Sequence, residues 1–329
     1  CMSDLQPSIK RQVTNLFFGW IAASATTSNI MFFVNFLDRY LNSRQVAIML
    51  MVFAVISFPT MDVMAKYLSQ TQPPMQVVWA RYTGQFILIL LIFINRLGEV
   101  TTTTQPGLQL ARSIALFGGT FFFFTSLSYM QIGKVAAIFQ VAPVIITLMA
   151  VMFLKETIGI RRIISLIGGF VGALIIIQPE AGFFELAAFL PMLAATCYAG
   201  YSVLTRLLKP GETANTTLFY TAGFGAVVST AILPFIWQTP QSYFEILLMA
   251  SMSLFGGFGH YCVIQALMRA EATELAPLNY LAMVFAMIWG FLFFAEIPNA
   301  ATLSGAALIV ASGLYLWRRS QQVGKVAQK

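Results

Sequence analysis

The sequence predicts an all-α polytopic membrane protein with ten transmembrane helices, arranged as two inverted five-helix repeats. Its composition, the spacing of its apolar runs and the similarity of its two halves all predict this. The chain has 329 residues, of which 58% are hydrophobic and 9% charged, and its mean hydropathy is +0.79. A soluble domain carries about 25% charged residues. The composition therefore excludes a soluble enzyme, a nucleic-acid-binding domain and a disordered chain.

Ten continuous apolar runs have about the 20 residues that a membrane helix needs. They cover residues 46–68, 75–95, 110–130, 134–154, 160–178, 184–207, 216–237, 245–268, 275–295 and 299–317. Because the runs do not alternate between polar and apolar residues, they also exclude a transmembrane barrel. The connections between them are short and leave no room for a soluble domain.

The predicted boundaries divide the chain into four parts. Residues 1–44 form an N-terminal leader, for which an extra span, an interfacial helix and a poorly ordered segment are the alternatives. Residues 45–180 form the first repeat, 181–320 the second, and 321–329 a cytoplasmic tail.

The distribution of positive charges predicts the orientation. With the N-terminus in the cytoplasm, 16 of the 19 Lys and Arg residues, including Arg112, fall in cytoplasmic segments. The three exceptions are Lys66, Arg81 and Lys134. Cytoplasmic loops collect positive charge in membrane proteins. We therefore expect a multi-pass protein of a bacterial inner membrane with both termini cytoplasmic, and we attribute the net charge of +7 to this rule rather than to nucleic acid.

An internal repeat appears when Ala47 is aligned with Ala187, because the two halves then match in one register without a gap. Glu156 and Glu296 also match, and each follows an apolar run that ends in Phe-x-x-Glu. Five spans per repeat is an odd number, so the second repeat must enter the membrane upside down. Inverted repeats place a substrate site at their interface near the midplane and work by alternating access.

Two stretches resemble the EamA-type family of the drug/metabolite transporters. They are Val141-Ala142-Pro143 through Glu156, and Phe285 through Glu296, within a resemblance that covers residues 46–318. Met283 stands where the repeat would place a second proline. Residues 61–67 and 78–82 are similar to the S-adenosylmethionine uptake branch of that family. The resemblance implies a carrier of small organic metabolites.

Three ionisable residues lie inside predicted spans, where a charge is costly and marks a candidate functional site. Asp62 and Lys66 are four residues apart on one helix face, and Arg81 lies at a similar depth in the next helix. Arg81 is a candidate for holding a substrate carboxylate, and Asp62 for holding a cationic group or a proton. The alternative is a structural Asp62–Arg81 ion pair, with Lys66 extending to the interface.

His260, the one histidine, is a candidate for proton relay or substrate binding, with an interhelical hydrogen bond as the alternative. Other polar and aromatic residues within the spans are candidates for substrate contact, with packing as the alternative. They are Gln140, Asn279, Tyr280, Tyr198, Tyr201 and Trp79.

Several features point away from catalysis, and we expect no metal and no cofactor. A lone histidine cannot build a zinc site, and Gly133-Lys134 is followed by Val135, so it is not an ATP-binding loop. The small-residue stripes Gly168-x-x-x-Gly172 and Gly305 to Gly313 indicate close helix packing, either within one chain or at a homodimer seam.

The sequence thus predicts a secondary transporter of small organic metabolites, such as amino acids or related compounds, rather than an enzyme. Its partners are a small-molecule substrate and the lipid bilayer, with a homodimer as an open alternative. S-adenosylmethionine uptake is the specific alternative. A membrane-embedded sensor or assembly factor is the alternative of another class, since a fold does not decide function.

Overall fold

The computed structural model describes residues 41–154, 160–177, 186–208, 211–267, 269–270, 275 and 278–327. The described part consists of helices joined by turns and short loops, and it contains no strand. Nearly all of the predicted leader lies outside the described residues, as does Glu156.

Eleven helices carry the fold in the described part. Those of the first half are α1 (Ser43–Leu68), α2 (Pro74–Ile92), α3 (Pro106–Leu127), α4 (Ile132–Phe139), α5 (Ala142–Leu154) and α6 (Ile160–Ile177). Those of the second half are α7 (Phe189–Arg206), α8 (Ala214–Ile232), α9 (Tyr243–Leu267), α10 (Asn279–Phe294) and α11 (Ala300–Ala327). Short helical turns occupy Ile94–Arg96, Leu97–Thr101, Leu186–Ala188 and Leu233–Phe235.

Local sequence signals fix where these helices begin. Asn42 and Gln45 form a capping box that starts α1, with each side chain accepting a hydrogen bond from the other residue's backbone N–H. Pro74 and Pro106 lie in the first turns of α2 and α3, where a missing N–H costs nothing. The Thr213 side chain caps α8 by accepting from the Thr216 N–H at 3.1 Å.

One predicted span is not a single helix. The run 134–154 is divided at Gln140 and Val141, so that α4 ends at Phe139 and α5 begins at Ala142. Pro143 is the second residue of α5, and a proline is tolerated there but not inside a continuing helix. The apolar run is unbroken across this point, which explains why hydropathy predicts one helix.

Length and composition identify five described helices that are long and apolar enough to cross a membrane. They are Ser43–Leu68, Pro74–Ile92, Pro106–Leu127, Asn215–Phe235 and Tyr243–Val263. Shorter apolar helices cover Ile132–Ile146, Ile167–Ile176, Asn279–Phe294 and Ala300–Tyr315. The count of ten spans therefore stays a prediction.

The packing of the helices repeats between the two halves. Helix α1 packs along α9, and its counterpart in the second half, α7, packs along α3, the counterpart of α9. Helix α2 packs along α8, and α6 packs along α11. Each of these pairs joins one half to the other, so the interface between the halves runs through the centre of the molecule.

The two small-residue stripes meet in the α6–α11 contact. A Cβ atom added at Gly172 would lie 2.7 Å from the Gly305 carbonyl oxygen, and one added at Gly168 would contact the Ser312 hydroxyl. The glycines let the two backbones approach closely. The stripes thus pack on each other within one chain.

Candidate functional site

Arg81 is a buried cation in the middle of the molecule. It lies near the midpoint of α2, and its side chain is 7% exposed. One terminal nitrogen donates to the Thr120 hydroxyl at 2.8 Å, whereas Nε has no hydrogen-bond partner among the described residues. A buried guanidinium that retains a free N–H is unusual, because unsatisfied buried donors are costly.

Aromatic and polar groups from neighbouring positions surround this guanidinium. The Arg81 Cζ atom lies 5.2 Å from the Tyr82 ring centroid and 5.6 Å from that of Phe124 in α3. The Tyr82 hydroxyl is 2.9 Å from the Thr120 hydroxyl and helps to orient it. Gly256 of α9 lies beside this group, since a Cβ added there would be 3.9 Å from Nε, an ordinary contact distance.

Asp62 and His260 complete the electrostatic surroundings of Arg81. Both interact electrostatically with its guanidinium. The Asp62 side chain is 9% exposed and makes no hydrogen bond or ion pair with any residue that the structure describes. The direct Asp62–Arg81 ion pair that the sequence suggested is therefore not formed, since Arg81 turns towards Thr120 on α3 instead. The His260 ring packs edge-on against Phe58 of α1, with centroids 5.1 Å apart.

A second buried arginine, Arg112, is one that sequence reasoning missed. The charge count places it among the cytoplasmic segments, but the structure buries it in α3 at 1% exposure. Its nitrogens donate to the Thr205 hydroxyl at 3.1 Å, the Gln109 side-chain oxygen at 3.1 Å and the Thr221 hydroxyl at 3.2 Å. Its Cζ atom lies 4.7 Å from the Tyr201 ring centroid. Arg112 lies inside the predicted span 110–130, and this position could have identified it as a candidate site residue.

Both arginines line a small cavity of about 20 Å³ at the interface between the halves. Its wall is built by α2 and α3 of the first half and by α7, α8 and α9 of the second. The lining residues are Arg81, Tyr82, Gln85, Arg112, Leu116, Tyr201, Thr217, Leu218, Thr221, Ala222 and His260. The polar groups converge on this space as they do in a small-molecule site, but its volume is smaller than the roughly 300–1,000 Å³ of a formed ligand pocket.

Of the residues predicted for the site, Arg81, His260 and Tyr201 line this cavity, whereas Asp62 is not among the lining residues and interacts electrostatically with Arg81. Tyr198 stacks beside Tyr201 with centroids 5.9 Å apart but lies outside the lining. Trp79 also lies outside, because its indole N–H donates to Thr230 at 3.0 Å and its ring packs against Trp237.

Lys66 belongs to a different cluster. Its ammonium forms an ion pair with Glu296 at 2.5 Å, and it donates to the Met130 carbonyl oxygen at 2.5 Å. Glu296 also accepts from the Ile132 N–H at 2.8 Å, so it joins the end of α10 to the start of α4. Lys66 therefore has a local structural partner away from the cavity.

The remaining candidates also lie away from the cavity lining. Gln140 is at the break between α4 and α5, and Asn279 is exposed at the start of α10. The Tyr280 hydroxyl packs closely against Gly313 of α11. Among the described residues, no group of three or more His, Cys, Asp or Glu side chains is placed to hold a metal ion.

Comparison with known proteins gives one family and several named relatives. The EamA-like transporter family matches residues 45–178 and again 185–318. An S-adenosylmethionine uptake transporter of Rickettsia bellii is 30% identical, over 80% of this chain and 90% of the relative. A riboflavin transporter of Brucella anthropi is 27% identical, over 78% and 92%, and a pseudopaline exporter of Pseudomonas aeruginosa is 26% identical, over 82% and 95%.

The fold has a counterpart among solved structures. A crystal structure superposes with a TM-score of 0.59 at 19% sequence identity, covering 84% of this chain and 99% of the other. At this identity the likeness concerns the fold alone. The two family matches begin at residues 45 and 185, which is the register that aligns Ala47 with Ala187 and so confirms the repeat found in the sequence.

Proposed function

This chain belongs to the EamA-like transporter family, and from that premise we propose that it is a secondary transporter of a small organic metabolite bearing a carboxylate. The proposal is carried by Nε of buried Arg81, which has no hydrogen-bond partner in the part of the chain that the structure describes. A guanidinium binds a carboxylate through paired N–H donors, and burial strengthens such charge-assisted hydrogen bonds. The cavity around it holds about 20 Å³ in this conformation, roughly the space of one water, so it must widen to admit a substrate.

The proposed mechanism is alternating access between two inverted repeats. Ten spans, five in each repeat, place both termini on the cytoplasmic side of a bacterial inner membrane, as the charge distribution predicts. Rocking of the halves about their interface exposes the cavity first to one side and then to the other. Two observations support this mechanism. The family matches twice, and the pairing of α1 with α9 is repeated by that of α7 with α3.

Within the cavity, each candidate residue has a proposed role. Arg81 holds the substrate carboxylate, and Asp62 compensates the charge of Arg81 when the cavity is empty. Tyr201 and His260 contact the remainder of the substrate. Arg112 adds positive potential on the other side of the cavity, although its described hydrogen bonds occupy it more fully than those of Arg81.

Amino acids and related compounds are the substrate class that this site fits first, because each carries an α-carboxylate. S-adenosylmethionine is the specific alternative, since it also carries an α-carboxylate and a relative at 30% identity is named for its uptake. Tyr201 in the cavity wall favours this alternative, because an aromatic ring can stack on adenine.

A metabolite profile tests the proposal. Cells express the wild type, Arg81→Gln or the control Arg96→Gln at equal levels, and the metabolites inside the cells and in the medium are measured. Arg96 is exposed just after the end of α2 and leaves the cavity untouched. We expect a carboxylate compound to change compartment with the wild type and Arg96→Gln but not with Arg81→Gln. Ligand binding by the purified protein without any solute movement would instead support a sensor or assembly factor.

A further inference from the structure

A carboxylate closes one end of the interface between the halves. Glu212 lies in the connection between α7 and α8. Its carboxylate accepts hydrogen bonds from the Thr104 N–H at 2.8 Å, the Thr103 hydroxyl at 2.9 Å and the Gln109 side-chain amide at 2.9 Å. These donors precede or begin α3, so the contact joins the second half to the first. We call Glu212, Thr103, Thr104 and Gln109 the Glu212 cluster.

A second carboxylate closes the other end. Glu245 of α9 is 4% exposed. It accepts from the Thr71 hydroxyl at 2.9 Å, the Gln72 side-chain amide at 3.0 Å and the Gln241 N–H at 2.9 Å. Thr71 and Gln72 lie in the connection between α1 and α2, so this contact also joins the two halves. We call Glu245, Thr71, Gln72 and Gln241 the Glu245 cluster.

The repeat relates the two clusters. The register that defines the repeat aligns Gln72 with Glu212, and it aligns Gln105, which precedes α3, with Glu245. Helix α8 begins just after Glu212 and ends before Glu245, so the clusters lie at opposite ends of a helix of 19 residues, about 28 Å long. The cavity that contains Arg81 lies beside this helix, between the two clusters.

The Glu212 cluster is also joined to the cavity. The Gln109 side chain donates to Glu212 through Nε2, and its Oε1 accepts from Arg112 at 3.1 Å. Arg112 lines the cavity. Gln109 and Arg112 share α3, whereas Thr205 and Thr221, which also accept from Arg112, belong to the second half. Separation of the halves at this end therefore removes these two acceptors from the Arg112 guanidinium.

We propose that Glu212 and Glu245 are the gate residues of the transporter, and that each cycle breaks one cluster while the other stays closed. This inference rests on the proposed alternating-access function. Both clusters are formed in this structure, and the cavity between them has a volume of only about 20 Å³. Opening at either end must break the bonds to that carboxylate, because they are made across the two halves.

The chemistry of the clusters suits a contact that opens and closes repeatedly. Each carboxylate is held by neutral hydroxyl and amide donors, so opening a cluster exposes one charge to water and separates no ion pair. Lys66 and Glu296, by contrast, form a buried ion pair, whose separation would leave two unpaired charges.

The Glu212 carboxylate stays ionised at physiological pH. Desolvation acts to raise its pKa, but the hydrogen bonds from the Thr104 N–H and from the Gln109, Thr103 and Thr104 side chains outweigh it and lower the pKa to about 2. The gate at this end therefore responds to the separation of the halves rather than to protonation.

The test uses a cysteine reporter in the cavity. Ala222 lines the cavity wall and is 1% exposed. Ala222→Cys is introduced after Cys1, Cys197 and Cys262 have been replaced, and a membrane-impermeant maleimide is applied from either face in right-side-out and inside-out vesicles. We expect Glu212→Ala to speed labelling by about five- to tenfold from one face, and Glu245→Ala to do so from the opposite face.

Control variants separate gating from misfolding. Glu99→Ala removes an exposed carboxylate near the same end of the molecule and should leave both labelling rates unchanged. Thr103→Val deletes one donor and should give a smaller, same-face increase if Glu212→Ala fails to fold. Equal acceleration from both faces, acceleration from the same face by both glutamate variants, or no acceleration would overturn the proposal. Labelling requires no substrate, so a wrong substrate class would not alter this result.

Discussion

Arg81 and Lys66 are both cations within apolar helices, but their surroundings differ. Lys66 is neutralised by Glu296 at 2.5 Å, and neither residue lines the cavity. Arg81 has the Thr120 hydroxyl as its hydrogen-bond acceptor, and its Nε has no partner among the described residues. Position in the sequence does not distinguish the structural lysine from the arginine of the cavity, because both residues lie at similar depth in neighbouring helices. Their partners in the fold distinguish them, since Arg81 bonds to Thr120 of α3 and Lys66 pairs with Glu296, which follows α10.

Loss of one member of the Lys66–Glu296 pair should destabilise the protein without removing a substrate contact. We expect Glu296→Gln or Lys66→Met to lower the free energy of unfolding by about 3 kcal/mol, because an unpaired buried charge remains. The double variant Lys66→Met with Glu296→Met should be milder than either single change. Thermal unfolding in detergent measures the stability of the single and double variants relative to the wild type. A double variant as unstable as the sum of the singles would contradict the structural role.

Side-chain partners also explain which candidate residues reach the cavity. Arg81, His260 and Tyr201 are polar or aromatic residues inside apolar runs, and the structure places all three in the cavity wall. The same pattern selects Trp79 and Tyr280, whose contacts with Thr230 and Gly313 are interhelical packing. Hydropathy cannot tell a helix face that meets a cavity from one that meets another helix.

At the scale of helices, the α6–α11 contact depends on glycine. A Cβ at Gly172 would lie 2.7 Å from the Gly305 carbonyl oxygen, which is backbone and cannot move aside easily. We expect Gly172→Ala to lower the melting temperature, at a cost of about 1–3 kcal/mol. The control is Gly200→Ala in α7, where a Cβ meets nothing within 4 Å. That change should be neutral or stabilising by up to about 1 kcal/mol. Equal melting temperatures for both variants would contradict the close packing.

The boundaries of the helices were predictable where polar residues interrupt the apolar runs. The run 46–68 corresponds to α1 (Ser43–Leu68), which starts earlier because Asn42 and Gln45 form a capping box. The run 134–154 corresponds to two helices, because backbone geometry at Gln140 and Val141 changes without any change in hydropathy. Periodicity detects burial, but a local change in backbone direction inside an apolar run leaves no such signal.

At the scale of the whole molecule, the Glu212 cluster makes a testable contribution to stability. Desolvation acts to raise the pKa of Glu212, but its hydrogen bonds outweigh this and lower the pKa from 4.5 to about 2. The ionised carboxylate therefore stabilises the folded protein above about pH 4.5, and this contribution is lost as the pH falls towards 2. The melting temperature of the wild type should exceed that of Glu212→Gln by a constant amount above pH 5, and the difference should narrow below it. A difference independent of pH would contradict the hydrogen-bonded carboxylate.

The two halves meet at the cavity that Arg81 lines, and the proposed function requires that Arg81 binds a substrate carboxylate there. The most direct test is transport by purified protein in liposomes, using amino acids and S-adenosylmethionine alongside their methyl esters, which lack the carboxylate. We expect the wild type and Arg96→Gln to move an acid but not its ester, and Arg81→Gln to move neither while remaining folded. Equal transport of the ester, or near-normal transport by Arg81→Gln, would contradict carboxylate binding by Arg81.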